Sequence, residues 1–227
     1  LVQPPPPPSP TRIKDITFEG GLTDASTGFD KTTTGVALLT SSALRGTRSG
    51  TATSGYFEES FTGVDDFYVS FYLRVNALTS GSPRILLIQN SGTTVGNLLL
   101  TTTGLRLRTA SSTIGADSGA LTPGQIYRIG LHQKKGTGKN AVLEAYLAQG
   151  DNAFTTPFAS TSTGTWKTPA GRLRLGATSG TVNLTIDDVR LDSNVMPGSA
   201  TSPVTPLTAD FTADVTSGTA PLTVNFN

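Results

Sequence analysis

The chain has 227 residues, of which 38 are Thr and 21 Ser, against 17 Lys and Arg, 16 Asp and Glu, one His and no Cys. A net charge of +1, with no basic cluster larger than Lys134-Lys135, excludes a nucleic-acid binder built on phosphate contacts. No apolar run approaches the roughly 18 residues that cross a bilayer, and without cysteine there is no disulfide framework, thiolate metal site or cysteine nucleophile.

From the N-terminus, LVQPPPPPSP (1–10) holds six prolines and reads as a polyproline II linker. RIKDITFEG (12–20), GVALL (35–39) and ALRGTRSG (43–50) are short strand candidates between turn-rich stretches. The clearest strand is DDFYVSFYLRVN (65–76), where Phe67, Val69, Phe71, Leu73 and Val75 share one face and Tyr68, Ser70, Tyr72 and Arg74 the other. A period of two marks a half-buried strand, with the Phe and aliphatic face inward. PRILLIQN (83–90) and NLLLTTT (97–103) follow, then GLRLRT (104–109), with Leu105 and Leu107 opposite Arg106 and Arg108.

QIYRIGLHQK (125–134) sets Tyr127, Ile129 and Leu131 opposite Arg128, Gly130 and His132. AVLEAYLAQ (141–149) alternates as well, with either Leu143, Ala145 and Leu147 or Val142, Glu144 and Tyr146 inward. GRLRLG (171–176) repeats the Leu/Arg alternation, and NLTIDDVRLD (183–192) changes phase between Ile186 and Val189, which predicts a bulge near Asp187-Asp188. SNVMPGSATSPVTP (193–206) reads as a second linker and 207–227 as a short β stub. No stretch keeps a 3.6-residue stripe. About eleven or twelve one-face-apolar strands build two antiparallel sheets packed face to face, so 11–192 is expected to be an all-β sandwich. A domain of this size buries enough core without disulfides, so secretion stays open, and a start at Leu1 reads as a processed part of something longer.

Five segments, in order, resemble the laminin-G-like jelly rolls of the concanavalin A-like lectin/glucanase superfamily. They are ITFEGG (16–21), FYVSFYLRV (67–75), RILLIQNSGTTVGNLLL (84–100), LTPGQIYRIGL (121–131) and NLTIDDVRLD (183–192). The resemblance implies a jelly roll with one convex and one concave sheet, in a family often non-catalytic and often glycan-binding or adhesive. In related modules a structural calcium links an early acidic residue to the closing strand. Glu19 with Asp187 or Asp188 occupies those segments here, and Asp24 and Asp30 lie close enough in sequence to add oxygens. ADFTADVTSGTAPLTVNF (209–226) resembles the first hairpin of a PKD domain but is too short to hold that fold alone.

A glycan asks for an exposed aromatic beside planar hydrogen-bonding groups. Tyr68 and Tyr72 share the outward face with Arg74, and Trp166 sits in the hydroxyl-rich STSTGTWKTP (160–169); these four are the expected ligand-binding residues. Catalysis is not expected. The four Glu residues (Glu19, Glu58, Glu59 and Glu144) show none of the E-x-D-x-x-E spacing of laminarinase-type relatives, and neighbours such as Glu58-Glu59 point to opposite faces. The single His, His132, has no G-x-S-x-G partner and reads as an exposed surface residue, while KKGTGK (134–139) lacks the Ser/Thr and helix of a P-loop.

Two functions fit this reading. The first is a non-catalytic secreted or cell-surface adhesion module holding a glycan or cell-surface polymer. The second is a structural subunit of an extracellular filament or sheath that self-associates, its terminal segments packing on the sheet edges of neighbouring copies.

Overall fold

The computed structural model describes residues 11–198. The proline-rich linker, most of the second linker and the β stub lie outside the described residues. Within them are fifteen strands and no helix. In chain order they are β1 (Thr11–Ile16), β2 (Lys31–Thr32), β3 (Val36–Leu39), β4 (Ser49–Ala52), β5 (Tyr56–Val64), β6 (Asp66–Val75), β7 (Arg84–Asn90) and β8 (Thr93–Thr101). β9 (Gly104–Arg108), β10 (Thr113–Ile114), β11 (Ile126–Lys134), β12 (Ala141–Gln149), β13 (Ala159–Gly164), β14 (Ala170–Ser179) and β15 (Leu184–Ser193) complete the set.

They form the two-sheet antiparallel sandwich. An eight-stranded sheet runs β13-β12-β11-β6-β15-β4-β3, with β1 also on β15, and a seven-stranded sheet runs β10-β9-β8-β7-β14-β5-β2. The inward face of β6 is buried throughout, and Ile129, Leu131, Leu143, Leu184 and Ile186 join it with no exposure above 1%. That settles the phase of β12: Leu143 and Ala145 face the core, so Glu144 and Tyr146 face out. At one end Phe18, Phe29 and Phe57 pack together with ring centroids 5.2–5.8 Å apart, near the spacing that aromatic quadrupoles favour.

Two irregularities set which side chains face where. In β15, Asp187 stands opposite Tyr72 and Arg190 opposite Ser70, so one extra residue is accommodated, and Asp188 takes a positive φ of 44°. This is the expected bulge; beyond it Val189 and Leu191 point inward again. β1 shifts register between Arg12 and Lys14. Lys14 then reaches across the sandwich to Glu59 of β5, Nζ to Oε1 2.8 Å. Burial raises the Glu59 carboxyl above its ordinary range, although the Lys14 partner pulls it down.

The strand expected over 43–50 is shorter than its pattern suggested. Only Ser49 and Gly50 pair, within β4, and 43–48 is a loop with Gly46 at φ 57°. Two carboxylates hold it. Glu19 accepts from the Thr47 N–H (2.8 Å), the Thr47 hydroxyl and the Arg48 N–H (3.2 Å). Asp187 accepts from the Arg45 N–H at 2.9 Å and the Ser49 hydroxyl at 2.7 Å.

Candidate functional site

Residues opposite one another in an antiparallel sheet line up across the strands. On the outer face of the eight-stranded sheet one such row reads Arg12, Asp192, Tyr68, His132, Glu144 and Ser160, crossing β1, β15, β6, β11, β12 and β13. Every member is polar or carries a polar tip. His132 sits near its middle and is only 9% exposed, not the surface residue expected from sequence. Its Nδ1 lies 2.9 Å from Glu144 Oε2 and its Nε2 2.7 Å from Asp66 Oδ1. The Tyr68 ring lies flat on it, centroids 4.1 Å apart and planes within 5°. The Tyr146 hydroxyl donates to the same Glu144 oxygen at 2.8 Å, and Lys134 Nζ stands 3.4 Å from the other oxygen of Asp66.

This arrangement has a definite proton chemistry. A neutral imidazole has one N–H to donate, yet both ring nitrogens face carboxylate oxygens. The three groups therefore share protons: either the imidazole carries two, or one carboxylate keeps one. Burial works to raise Asp66, but its bond to His132 and the neighbouring Lys134 hold it below the ordinary carboxylate range. Burial and the Asp66 charge push the Tyr68 hydroxyl up to about 12, and burial with the Glu144 bond raises Tyr146 as well. Both phenols stay protonated beside a partly open cluster, since the Asp66 and Glu144 side chains keep about a quarter of their surface.

The next rows are covered. Gly130 lies under Phe154 and Met196, and a Cβ there would sit 3.0 Å from the Phe154 ring and 3.1 Å from the Met196 sulfur. Tyr72 is 1% exposed beneath the Arg45 guanidinium, 3.9 Å from ring centroid to Cζ, and donates to Asp151 at 2.6 Å. Arg128, 2% exposed, stacks its guanidinium 4.1 Å from the centroid of Phe154 and donates to the Asn152 carbonyl.

The four residues expected to bind ligand thus fall in separate places. Tyr68 joins His132, and Tyr72 is roofed. Arg74 is tied to Asn76 (3.0 Å) and Thr185 (3.3 Å) further along β6. Trp166 stands at the rim, its indole N–H donating to the Lys134 carbonyl at 3.1 Å. Of Glu19, Asp187 and Asp188, the expected metal ligands, the first two hold one and the same segment. They turn their oxygens onto the N–H and O–H groups of 43–49, and Asp188 Oδ1 meets Arg190 at 3.2 Å. Among the described residues no three His, Asp or Glu side chains form a metal-binding group. Asp188 keeps one buried oxygen, Oδ2, without a hydrogen-bond partner.

No protein-family model matches the sequence, and no curated protein matches it. Solved structures do share the fold. The endo-β-1,4-glucuronan lyase of the fungus Trichoderma reesei superposes with a TM-score of 0.59 at 11% identity, over 81% of this chain and 96% of that one. A marine alginate lyase from Aplysia kurodai gives 0.58 at 8% identity, over 82% and 100%. Domain 4 of the extracellular arabinanase AbnA from Geobacillus stearothermophilus, in complex with arabinotriose, gives 0.53 at 13% identity, over 84% and 96%. At such identities the likeness is one of fold, the β-sandwich jelly roll. It overturns the expectation that the chain is not an enzyme, because lyases are built on this same sandwich. The carboxylate spacing used to exclude catalysis speaks only to one kind of hydrolase, and a shared-proton histidine cluster lies outside its reach. Among the described residues no helix is long and apolar enough to cross a membrane.

Proposed function

We propose that this protein is carbohydrate-active and cleaves a polysaccharide chain laid across the outer face of the eight-stranded sheet, with His132 as its proton-transfer centre. The observation that carries this reading is the His132 ring clamped between Asp66 and Glu144 at 2.7 and 2.9 Å on that face. With both ring nitrogens held, the group that meets the ligand is a partly exposed carboxylate oxygen of Asp66 or Glu144. It takes the ligand's proton while the imidazole between the two carboxylates relays and stores it, and the proton returns by the same route. The fold neighbours that act on glucuronan and alginate are lyases, and elimination asks for little more. A base removes the proton beside the uronate carboxyl, the glycosidic C–O bond breaks as a C=C bond forms, and the leaving oxygen gains a proton. Tyr146, protonated and bonded to Glu144, supplies a hydroxyl for that last step.

Secretion or display at the cell surface accompanies this proposal, because such polymers lie outside cells. The adhesive role remains in it as the first stage, holding the glycan before it is cut. Self-association through the terminal segments concerns residues outside those described.

The test is to incubate the full chain with uronate-containing and neutral polysaccharides, following the ultraviolet absorbance of new unsaturated ends and the appearance of reducing ends. His132→Ala, with an unchanged circular dichroism spectrum, is expected to lose about 100- to 10,000-fold in rate. Absorbing ends signal elimination, and reducing ends alone signal hydrolysis. A folded His132→Ala variant as active as the parent, or a parent that cuts none of the polymers, removes the proposal.

A further inference from the structure

The outer edges of the two sheets, β10 and β13, come together at one side of the sandwich and leave an open groove of about 460 Å³ between them. Seven of its twelve lining residues are Ser or Thr, and none is charged. Thr94 and Thr109 stand on one side, Thr161 and Thr163 of β13 on the other, and Trp166 joins the lining. The indole is held in place twice over. Its N–H donates to the Lys134 carbonyl at 3.1 Å, and its six-membered ring lies on Gly164, where an added Cβ would collide with Cζ3. A ring fixed before the ligand arrives loses little freedom on binding.

We propose that this groove is a second saccharide site, taking an uncharged oligosaccharide. Three features select that class. A sugar ring offers a C–H face that an indole covers and hydroxyls that both donate and accept, and Ser and Thr hydroxyls match the second property as Trp166 matches the first. The uncharged lining selects against acidic sugars. A carboxylate entering the groove gives up water and finds no cation among the lining residues, and the Arg108 guanidinium behind them is bonded to the Ser111 carbonyl. The volume lies within the range of small-ligand sites. An extended peptide added to the free edge of β13 would fill the same space, but a groove lined by hydroxyls along its sides is better matched to a hydroxylated ligand. The site does not depend on His132, which lies on the outer face and does not line the groove.

Trp166 is the chain's one Trp, so its fluorescence reports from this groove alone. The experiment titrates the full chain with neutral xylan-, arabinan- and β-glucan-derived oligosaccharides and with oligouronates, following tryptophan emission and, in parallel, retardation in native gels containing each polymer. A saturable emission change with at least one neutral series and none with oligouronates is expected. Thr163→Val, an exposed position that tolerates the swap, is expected to weaken binding about five- to tenfold, as for one lost hydrogen bond. Trp166→Ala should abolish gel retardation by the neutral polymers. His132→Ala should give the parent's emission change with the neutral series while its cutting rate falls, which separates failure here from failure of the cleavage proposal. No emission change and no retardation with any neutral sugar, an equal emission change with oligouronates, or unaltered neutral-sugar affinity in Thr163→Val would each overturn the site.

Discussion

At the scale of single residues, Asp187 has the most measurable consequence. It is 1% exposed, and burial pushes its carboxyl up to about 6, against the opposing pull of the Ser49 hydroxyl and the Arg45 N–H. An acid whose folded value lies above its ordinary 3.8 contributes most to stability when both states are protonated, below about pH 4. That contribution is lost as pH rises through about 6, and the full loss is on the order of 3 kcal/mol. Asp187→Asn removes the titration. In urea denaturation from pH 4 to pH 8, the stability of the variant relative to the parent is expected to rise with pH by about that amount. A difference that stays constant across the range would place the titration elsewhere.

At the scale of elements, the 43–48 loop shows how far the sequence could be read. β6, the forward part of β11 and the bulge in β15 were legible because each is written as a period of two within one segment. The loop was misread as a weak strand although ALRGTRSG carries no period of two, and nothing local shows that Glu19 and Asp187 capture its N–H groups from 28 and 142 residues away. The His132 cluster was hidden for the same reason. Asp66, His132 and Glu144 meet only once β6, β11 and β12 are known to be neighbours in that register, and the phase of β12 was ambiguous by pattern alone. Tyr72 lost its expected exposure to Arg45 and Asp151, which arrive from two distant loops. With Glu19 and Asp187 accepting directly from the loop's own N–H and O–H groups, adding calcium or EDTA is expected to leave the thermal midpoint unchanged. A rise with calcium that EDTA reverses would restore the calcium expected from the family resemblance.

At the scale of the whole molecule, the two sheets are joined mainly by apolar packing, with the Lys14–Glu59 pair as a charged link between them. The Lys14 side chain keeps 16% of its surface and that of Glu59 only 6%. Removing one partner leaves the other charge stranded, which costs more than the pair contributes. Lys14→Met is expected to cost about 3 kcal/mol, with Lys14→Met/Glu59→Leu recovering most of it in denaturant unfolding. Equal losses in single and double variants would show that packing, not the stranded carboxylate, carries the effect.

The bulge at Asp188 bears on how β15 tolerates changes in its own length. The strand holds one residue more than its partner requires, and that residue already stands outside the ladder. A single deletion nearby can be absorbed by spending this spare position, leaving Val189 and Leu191 in the core and Asp192 on the outer row. A single insertion finds the slack already used and turns every side chain beyond it to the wrong face. Length variation along this strand should therefore be lopsided, shortening by one far more readily than lengthening by one.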